Sequence, residues 1–228
     1  MMNKILVICA HPDDEVLGCG GTLLKHKKNK DQINILFVFE GSSGRYKNMK
    51  NLAVSNDMSK RQKSAIQVAK NLKVKSIKFL NYQNLITNPE MKLKMTKQIS
   101  DEIKKINPQI IYTHSSKDLN IDHRVCLESV LIATRPEKDL SLKKLLCFEI
   151  PSSTEWSYNI FGNFSPTYFV NIEKFMKDKL RLLKFYNYEL KKFPYPRSNE
   201  NIIAQSKLAG SLCGFKNAER FEVIKILE

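Results

Sequence analysis

Apolar residues in this chain come in short unbroken runs, separated by stretches in which they recur every three or four positions. Residues 3–10, carrying Ile5-Leu6-Val7-Ile8-Cys9, show no alternation, as expected of a central parallel strand covered on both faces. A helix is predicted over 15–28, with Val16, Leu17, Leu23 and Leu24 on its apolar stripe. Its acidic first turn and lysine-rich last turn suit the helix dipole. Further strands are predicted at Ile33–Glu40, Ser76–Tyr82, Gln109–His114, Leu145–Ile150 and Tyr168–Ile172, with a terminal one over 221–227. Helices are predicted at Ser59–Asn71, Pro89–Ile106 and His123–Thr134, then a long one over 173–192 and a last one over 200–212.

Strands alternating with helices give an α/β fold with a doubly wound, mostly parallel sheet flanked by helices. Nothing in the 228 residues divides them, so a single domain over 1–228 is expected. In the commonest strand order of this architecture the first and fourth strands are neighbours. Their connections leave in opposite directions, which opens a crevice at the carboxyl ends of the strands.

Composition narrows the class only a little. Hydrophobic content of 42% and charged content of 27% are ordinary for a globular protein, and no apolar window is long enough to span a membrane. The N-terminal apolar run is too short for a signal peptide and is followed at once by acidic residues. Five scattered cysteines without a Cys-x-x-Cys argue against a disulfide framework, so a cytoplasmic location is expected. The net charge of +15 comes from lysines strewn over nearly every predicted element, not from an arginine- and aromatic-rich face. It reads as a solvated surface, or as attraction for an anionic substrate or acidic lipid surface. A basic nucleic-acid-binding module is the competing class.

The chemistry concentrates at the end of the first strand, in Ala10-His11-Pro12-Asp13-Asp14-Glu15. Carboxylates at the mouth of a buried strand are costly unless paired or bound to a cation. His11 and Asp14 suit a metal, and His123, at the end of the fourth strand, completes a set of two imidazoles and one carboxylate. Asp13 is then the candidate general base for a metal-activated water. Asp122 is a candidate acceptor that fixes the orientation of an imidazole. His114 is either a packing residue or a donor to a developing oxyanion. The facial triad of non-haem iron oxygenases matches the same ligands, but the spare carboxylate fits hydrolysis better. Gly18, Gly20 and Gly21 invite comparison with a dinucleotide-binding loop, but the acidic cluster intervenes, and close helix–sheet packing explains them better.

Together, Ala10-His11-Pro12-Asp13-Asp14-Glu15, Asp118-Leu119-Asn120-Ile121-Asp122-His123-Arg124, the Pro196-Arg197-Ser198 run and Ala218-Glu219-Arg220-Phe221 resemble the PIG-L/LmbE-like family of zinc-dependent de-N-acetylases. The resemblance implies a Rossmann-like fold and removal of acetyl groups from N-acetylglucosamine-type amino sugars or glycoconjugates, small molecules that the positive charge would suit if they are anionic. It implies His11, Asp14 and His123 as ligands of Zn2+, with Fe2+ or Mn2+ as alternatives, and Asp13 as base. It also points to Arg45 and Arg197 as substrate-holding residues. Asn120 stands where some members carry an oxyanion-binding His, which leaves Asn120, His114 and the metal as candidate oxyanion partners. Tyr195 stands where a His often precedes the Pro-Arg-Ser run. A metal-dependent amidase or esterase on another acyl substrate is the alternative enzyme.

Overall fold

A computed structural model describes residues 2–45, 52–85, 88–136 and 140–228. Its centre is β1 (Lys4–Cys9), which pairs in parallel with β2 (Gln32–Phe39) on one side and β4 (Ile110–His114) on the other. With β3 (Ser76–Tyr82), β5 (Lys144–Phe148), β6 (Tyr168–Asn171) and β7 (Ala218–Ile226), the sheet runs β3-β2-β1-β4-β5-β7-β6. The first and fourth strands are therefore neighbours, as the alternation of elements predicts. β7 is inserted antiparallel between β5 and β6, an arrangement that the sequence pattern does not announce.

The unbroken apolar run of β1 follows from its having core on both faces. Ile5, Val7 and Cys9 pack into one cluster and Leu6, Ile8 and Ala10 into the other, and every one is fully buried. Burying each of the larger side chains stabilises the fold by roughly 1.5–3 kcal/mol. The flanking helices are α1 (Asp14–Lys28), α2 (Leu52–Leu72), α3 (Pro89–Ile106), α4 (Ile121–Ala133), α5 (Met176–Leu183) and α6 (Asn199–Ser211). Among the described residues no helix is long and apolar enough to cross a membrane.

Three elements depart from expectation. α1 is kinked at Cys19, which frees backbone donors in mid-helix. The carboxylate of Glu219 accepts from the N–H groups of Gly21 and Thr22 at 2.8 and 2.6 Å, and it is paired with buried Lys179 at 2.7 Å. The antiparallel strand β7 thus anchors the helix that carries the acidic motif. Second, α2 begins before the expected Ser59. Third, the expected helix over 173–192 breaks up: a 3-10 turn precedes α5, a second one (Lys184–Tyr186) follows it, and the chain then leaves helical geometry. Tertiary contacts override propensity there, because the hydroxyl of Tyr186 bonds to Glu15 and that of Tyr188 to Ser64.

Glycine in α1 is a packing requirement. A Cβ on Gly18 would lie 2.4 Å from the ring of Phe148 in β5, and one on Gly21 2.8 Å from Ile172. The reading of these glycines as a close helix–sheet contact agrees with that geometry.

Candidate metal centre and its pocket

The site lies where β1 and β4 end side by side. Their register, Val7 opposite Tyr112, brings the residue after β1 level with the end of β4, and the N–H of Ala10 donates to His114 Nε2 at 2.8 Å. The chain then turns through His11-Pro12-Asp13 into α1. The side chain of Asn120 caps α4 by accepting from the N–H of Asp122 at 2.9 Å, so Asp122 and His123 sit in the first turn of that helix. Residues more than a hundred positions apart meet through the topology alone.

His11, Asp14 and His123 each offer one ligand atom, and these atoms lie within 4.8 Å of one another. Asp14 Oδ2 is 3.6 Å from His11 Nδ1 and 3.6 Å from His123 Nε2, and it accepts the N–H of His11 at 2.8 Å. The other oxygen, Oδ1, and the Nε2 of His123 are buried without a hydrogen-bond partner among the described residues. Buried polar atoms left without a partner are costly unless a cation satisfies them, so these residues fit a metal ion. Burial pushes the Asp14 carboxyl up, but the imidazoles of His123, His114 and His11 outweigh it and hold the group far below the usual carboxylate range.

Each ligand imidazole has a carboxylate at its far nitrogen. Asp122 Oδ2 is 3.1 Å from His11 Nε2 and its Oδ1 accepts the N–H of Leu85 at 2.8 Å. Asp122 therefore serves His11, not its own neighbour His123. Burial lowers the pKa of His11, but the bonds to Asp122 and Asp14 prevail and raise it to about 9. His123 Nδ1 lies 3.1 Å from Asp118 Oδ2. Asp118 is fixed in turn by the hydroxyls of Ser153 and Thr154 and by the N–H of Asn120. Burial raises its pKa, yet His123 and these bonds hold it below the usual range.

His114 does not face the pocket. It is fully buried, and its ring stacks on that of His123 with centroids 4.0 Å apart. Its Nε2 is occupied as an acceptor, and burial together with His123 pushes its pKa down to about 3. It does not line the pocket; it is the packed imidazole beneath the cluster.

A cavity of about 430 Å³ opens over His11, with Asp13, Arg61, Asn120, Asp122 and Arg197 among its walls. Asp13 has φ 124° and ψ −29°, a left-handed conformation that costs a non-glycine residue of order 1–3 kcal/mol. Its side chain makes no cap bond to α1 and turns instead to Arg197, whose Nη1 donates to Oδ2 at 2.9 Å. Burial raises the Asp13 pKa, Arg197 opposes this, and the balance is about 6. Arg197 Nε also donates to Pro151 O and Ser152 Oγ, and its Nη1 lies 3.5 Å from Glu189, so the guanidinium that meets Asp13 is fixed from several sides. Asn120 also lines the pocket. The backbone of Arg45 closes a short 3-10 turn (Ser43–Arg45); its side chain lies outside the described residues.

Sequence reasoning missed Arg61, which is buried, lines the pocket and is paired with Glu189. It lies in a Lys60-Arg61-Gln62-Lys63 run that reads as a solvated face. The signal was present in the helical period, since Val54, Arg61, Ser64, Ala65, Val68 and Leu72 form one buried stripe. Asp118 was part of a recognised motif but had no role, because nothing in the spacing tells which carboxylate reaches which ring.

Residues 6–134, more than half of the chain, match the sequence model of the PIG-L family, described as GlcNAc-PI de-N-acetylase. The chain belongs to this family. Solved structures share the fold at low identity. N,N'-diacetylchitobiose deacetylase from Pyrococcus horikoshii is 21% identical with a TM-score of 0.75, the match covering 97% of this chain and 84% of that one. The A40926 pseudoaglycone deacetylase is 16% identical with a TM-score of 0.76 over the whole of both chains (100% and 100%). The 4-carboxy-2-hydroxymuconate hydratase from Pseudomonas putida KT2440 is 18% identical with a TM-score of 0.76, covering 100% of this chain and 99% of that one. The last is a reminder that this family's fold also carries chemistry other than deacetylation.

Proposed function

We propose that this protein is a metal-dependent hydrolase that removes the acetyl group from an N-acetylated amino sugar or glycoconjugate. The observation that carries the reading is the divergence of two adjacent carboxylates: Asp14 points into the imidazole cluster, and Asp13 points into the pocket with a pKa of about 6. Family membership and two structural relatives named as deacetylases support the amide substrate. His11, Asp14 and His123 would hold the ion, Zn2+ in the first instance with Fe2+ or Mn2+ as alternatives. When bound it supplies Lewis acidity for the acyl oxygen and for water.

The chain's own groups account for the proton movements. Asp13 takes a proton from the attacking water as the new C–O bond forms, then returns it to the amine nitrogen as the C–N bond breaks, releasing acetate and the free amine. A carboxylate at the pocket wall beside the metal ligands is placed to move the proton in both directions. Arg197 holds the carboxylate of Asp13 toward the pocket. Asn120 Nδ2, at the pocket wall, would donate to the developing oxyanion. Five free cysteines, four of them buried, suit a reducing cytoplasm.

Acetate release from a panel of N-acetylated sugars and glycoconjugates tests the proposal. Activity should vanish with a chelator and return with a divalent ion. Release from acetyl esters or simple amides but from none of the sugars would favour the amidase or esterase alternative.

A further inference from the structure

The strained backbone of Asp13 is where two neighbouring carboxylates are sent in different directions. An acidic residue just ahead of a helix ordinarily folds its side chain over the first free N–H groups. Here φ is 124°, the side chain swings away to Arg197, and the backbone N–H of Asp13 turns inward. A buried N–H needs an acceptor. Glu15 Oε2 supplies it at 3.0 Å, reaching back across two residues. The remaining oxygen of Glu15 accepts the hydroxyl of Tyr186 at 2.6 Å, and both side chains are fully buried. Tyr186 stands on the turn after α5, where the expected long helix gives way.

We infer that Glu15 and Tyr186 are positioning residues: they hold Asp13 in its left-handed conformation, so that its carboxylate faces the pocket while that of Asp14 faces the metal ligands. The inference rests on Asp13 being the base. Neither residue lines the pocket, so neither touches substrate. Without the acceptor, the Asp13 backbone relaxes toward an ordinary negative φ and withdraws its carboxylate from Arg197. The metal ligands stay where they are, because Asp14 is held by the N–H of His11 and by the imidazoles.

The test compares Glu15→Gln, Glu15→Met and Tyr186→Phe in the metal-loaded full chain, with metal stoichiometry, kcat, KM and crystal structures. Gln keeps an oxygen for the Asp13 N–H and can donate to Tyr186, so it should retain kcat within about threefold and φ near its present value. Met matches the volume without an acceptor. It should bind metal normally and keep KM within about twofold, lose about a hundredfold in kcat, the scale of a displaced catalytic group, and show Asp13 at negative φ. Tyr186→Phe, which keeps the ring, should lose about tenfold in kcat and decides the matter should Met fail to fold. An unchanged φ and kcat in Glu15→Met, or in Tyr186→Phe where Met is unfolded, would overturn the inference, as would a Gln variant as impaired as Met. Should Asp13→Asn prove fully active, it is the assignment of the base that fails. The φ angles in the variant structures still report on the brace.

Discussion

Asp118 Oδ2 lies 3.1 Å from His123 Nδ1, and the carboxylate is pinned by two hydroxyls and a backbone N–H. The ring is thereby turned so that Nε2 faces Asp14. Outer carboxylates of this kind typically contribute ten- to a hundredfold in metal affinity, because they fix tautomer and orientation. Asp118→Asn should therefore weaken metal binding by about 10- to 100-fold with His11, Asp14 and His123 intact. A competition titration against a chelating dye measures it. Asp122→Asn should act in the same sense through His11. Unaltered affinity in both would mean that these carboxylates serve only the fold.

The pairing of the two motifs was legible in the sequence because it depends on topology. Alternating elements put β1 beside β4, and the chemistry sits at both strand ends. What was not legible depends on contacts between distant parts of the chain. Asp122 lies next to His123 in sequence but serves His11, since consecutive helical residues face different ways. The insertion of β7 and the capping of the kinked α1 by Glu219 are long-range choices with no local signature. Tyr186 looks helical by its neighbours, yet it is drawn out of the helix by Glu15. Arg61 was lost to its lysine neighbours, although its place on the buried stripe of α2 could have been read.

Asn120 and His114 separate by position. Asn120 lines the pocket, whereas His114 is packed against His123. Asn120→Asp keeps the helix cap but removes the donor, and should cost roughly 3 kcal/mol in the barrier. A His114 replacement should show instead as lost stability and altered metal binding. Steady-state kinetics beside chemical denaturation distinguishes the two. Retention of full kcat in Asn120→Asp would leave the metal as the only oxyanion partner.

Gly18 tests the helix–sheet contact. An alanine there would drive its Cβ to 2.4 Å from the buried ring of Phe148, at the foot of the helix that carries the acidic motif. Overpacking of this sort costs about 1–3 kcal/mol. Gly18→Ala should lower the denaturation midpoint accordingly, and pairing it with Phe148→Leu should recover part of the loss. Equal stability of Gly18→Ala and the parent would show that α1 can move off the sheet without penalty.

His26, remote from the metal ligands, links stability to pH. It lies between Asp31 at 2.7 Å and the Tyr112 hydroxyl at 2.9 Å, and burial lowers its pKa despite Asp31. The unfolded chain keeps an ordinary value of ~6.5, so below that pH the unfolded state binds more protons than the folded one. The contribution is complete above ~6.5 and is lost as pH falls, by at most about 1.4 kcal/mol per unit. Urea midpoints at several pH values should show a gentler decline for His26→Gln than for the parent. Parallel curves would mean that the folded His26 protonates as readily as the unfolded one.

The sharpest prediction separates Asp13 from Asp14. Asp14 Oδ2 is within 3.6 Å of nitrogens on His11, His114 and His123, while Asp13 bonds Arg197 at the pocket wall. Removing charge from Asp14 takes away the anionic ligand, so Asp14→Asn should lose metal and turnover together. Asp13→Asn keeps the shape and the ligand set but cannot accept a proton. It should retain the metal and a KM close to the parent's, and lose turnover by about a hundredfold or more, because the missing interaction belongs mainly to the transition state. Metal content and acetate release measured on both variants side by side decide it. Loss of metal from Asp13→Asn with retention in Asp14→Asn would reverse the two roles. Metal and near-normal turnover in both would remove this cluster from the chemistry altogether.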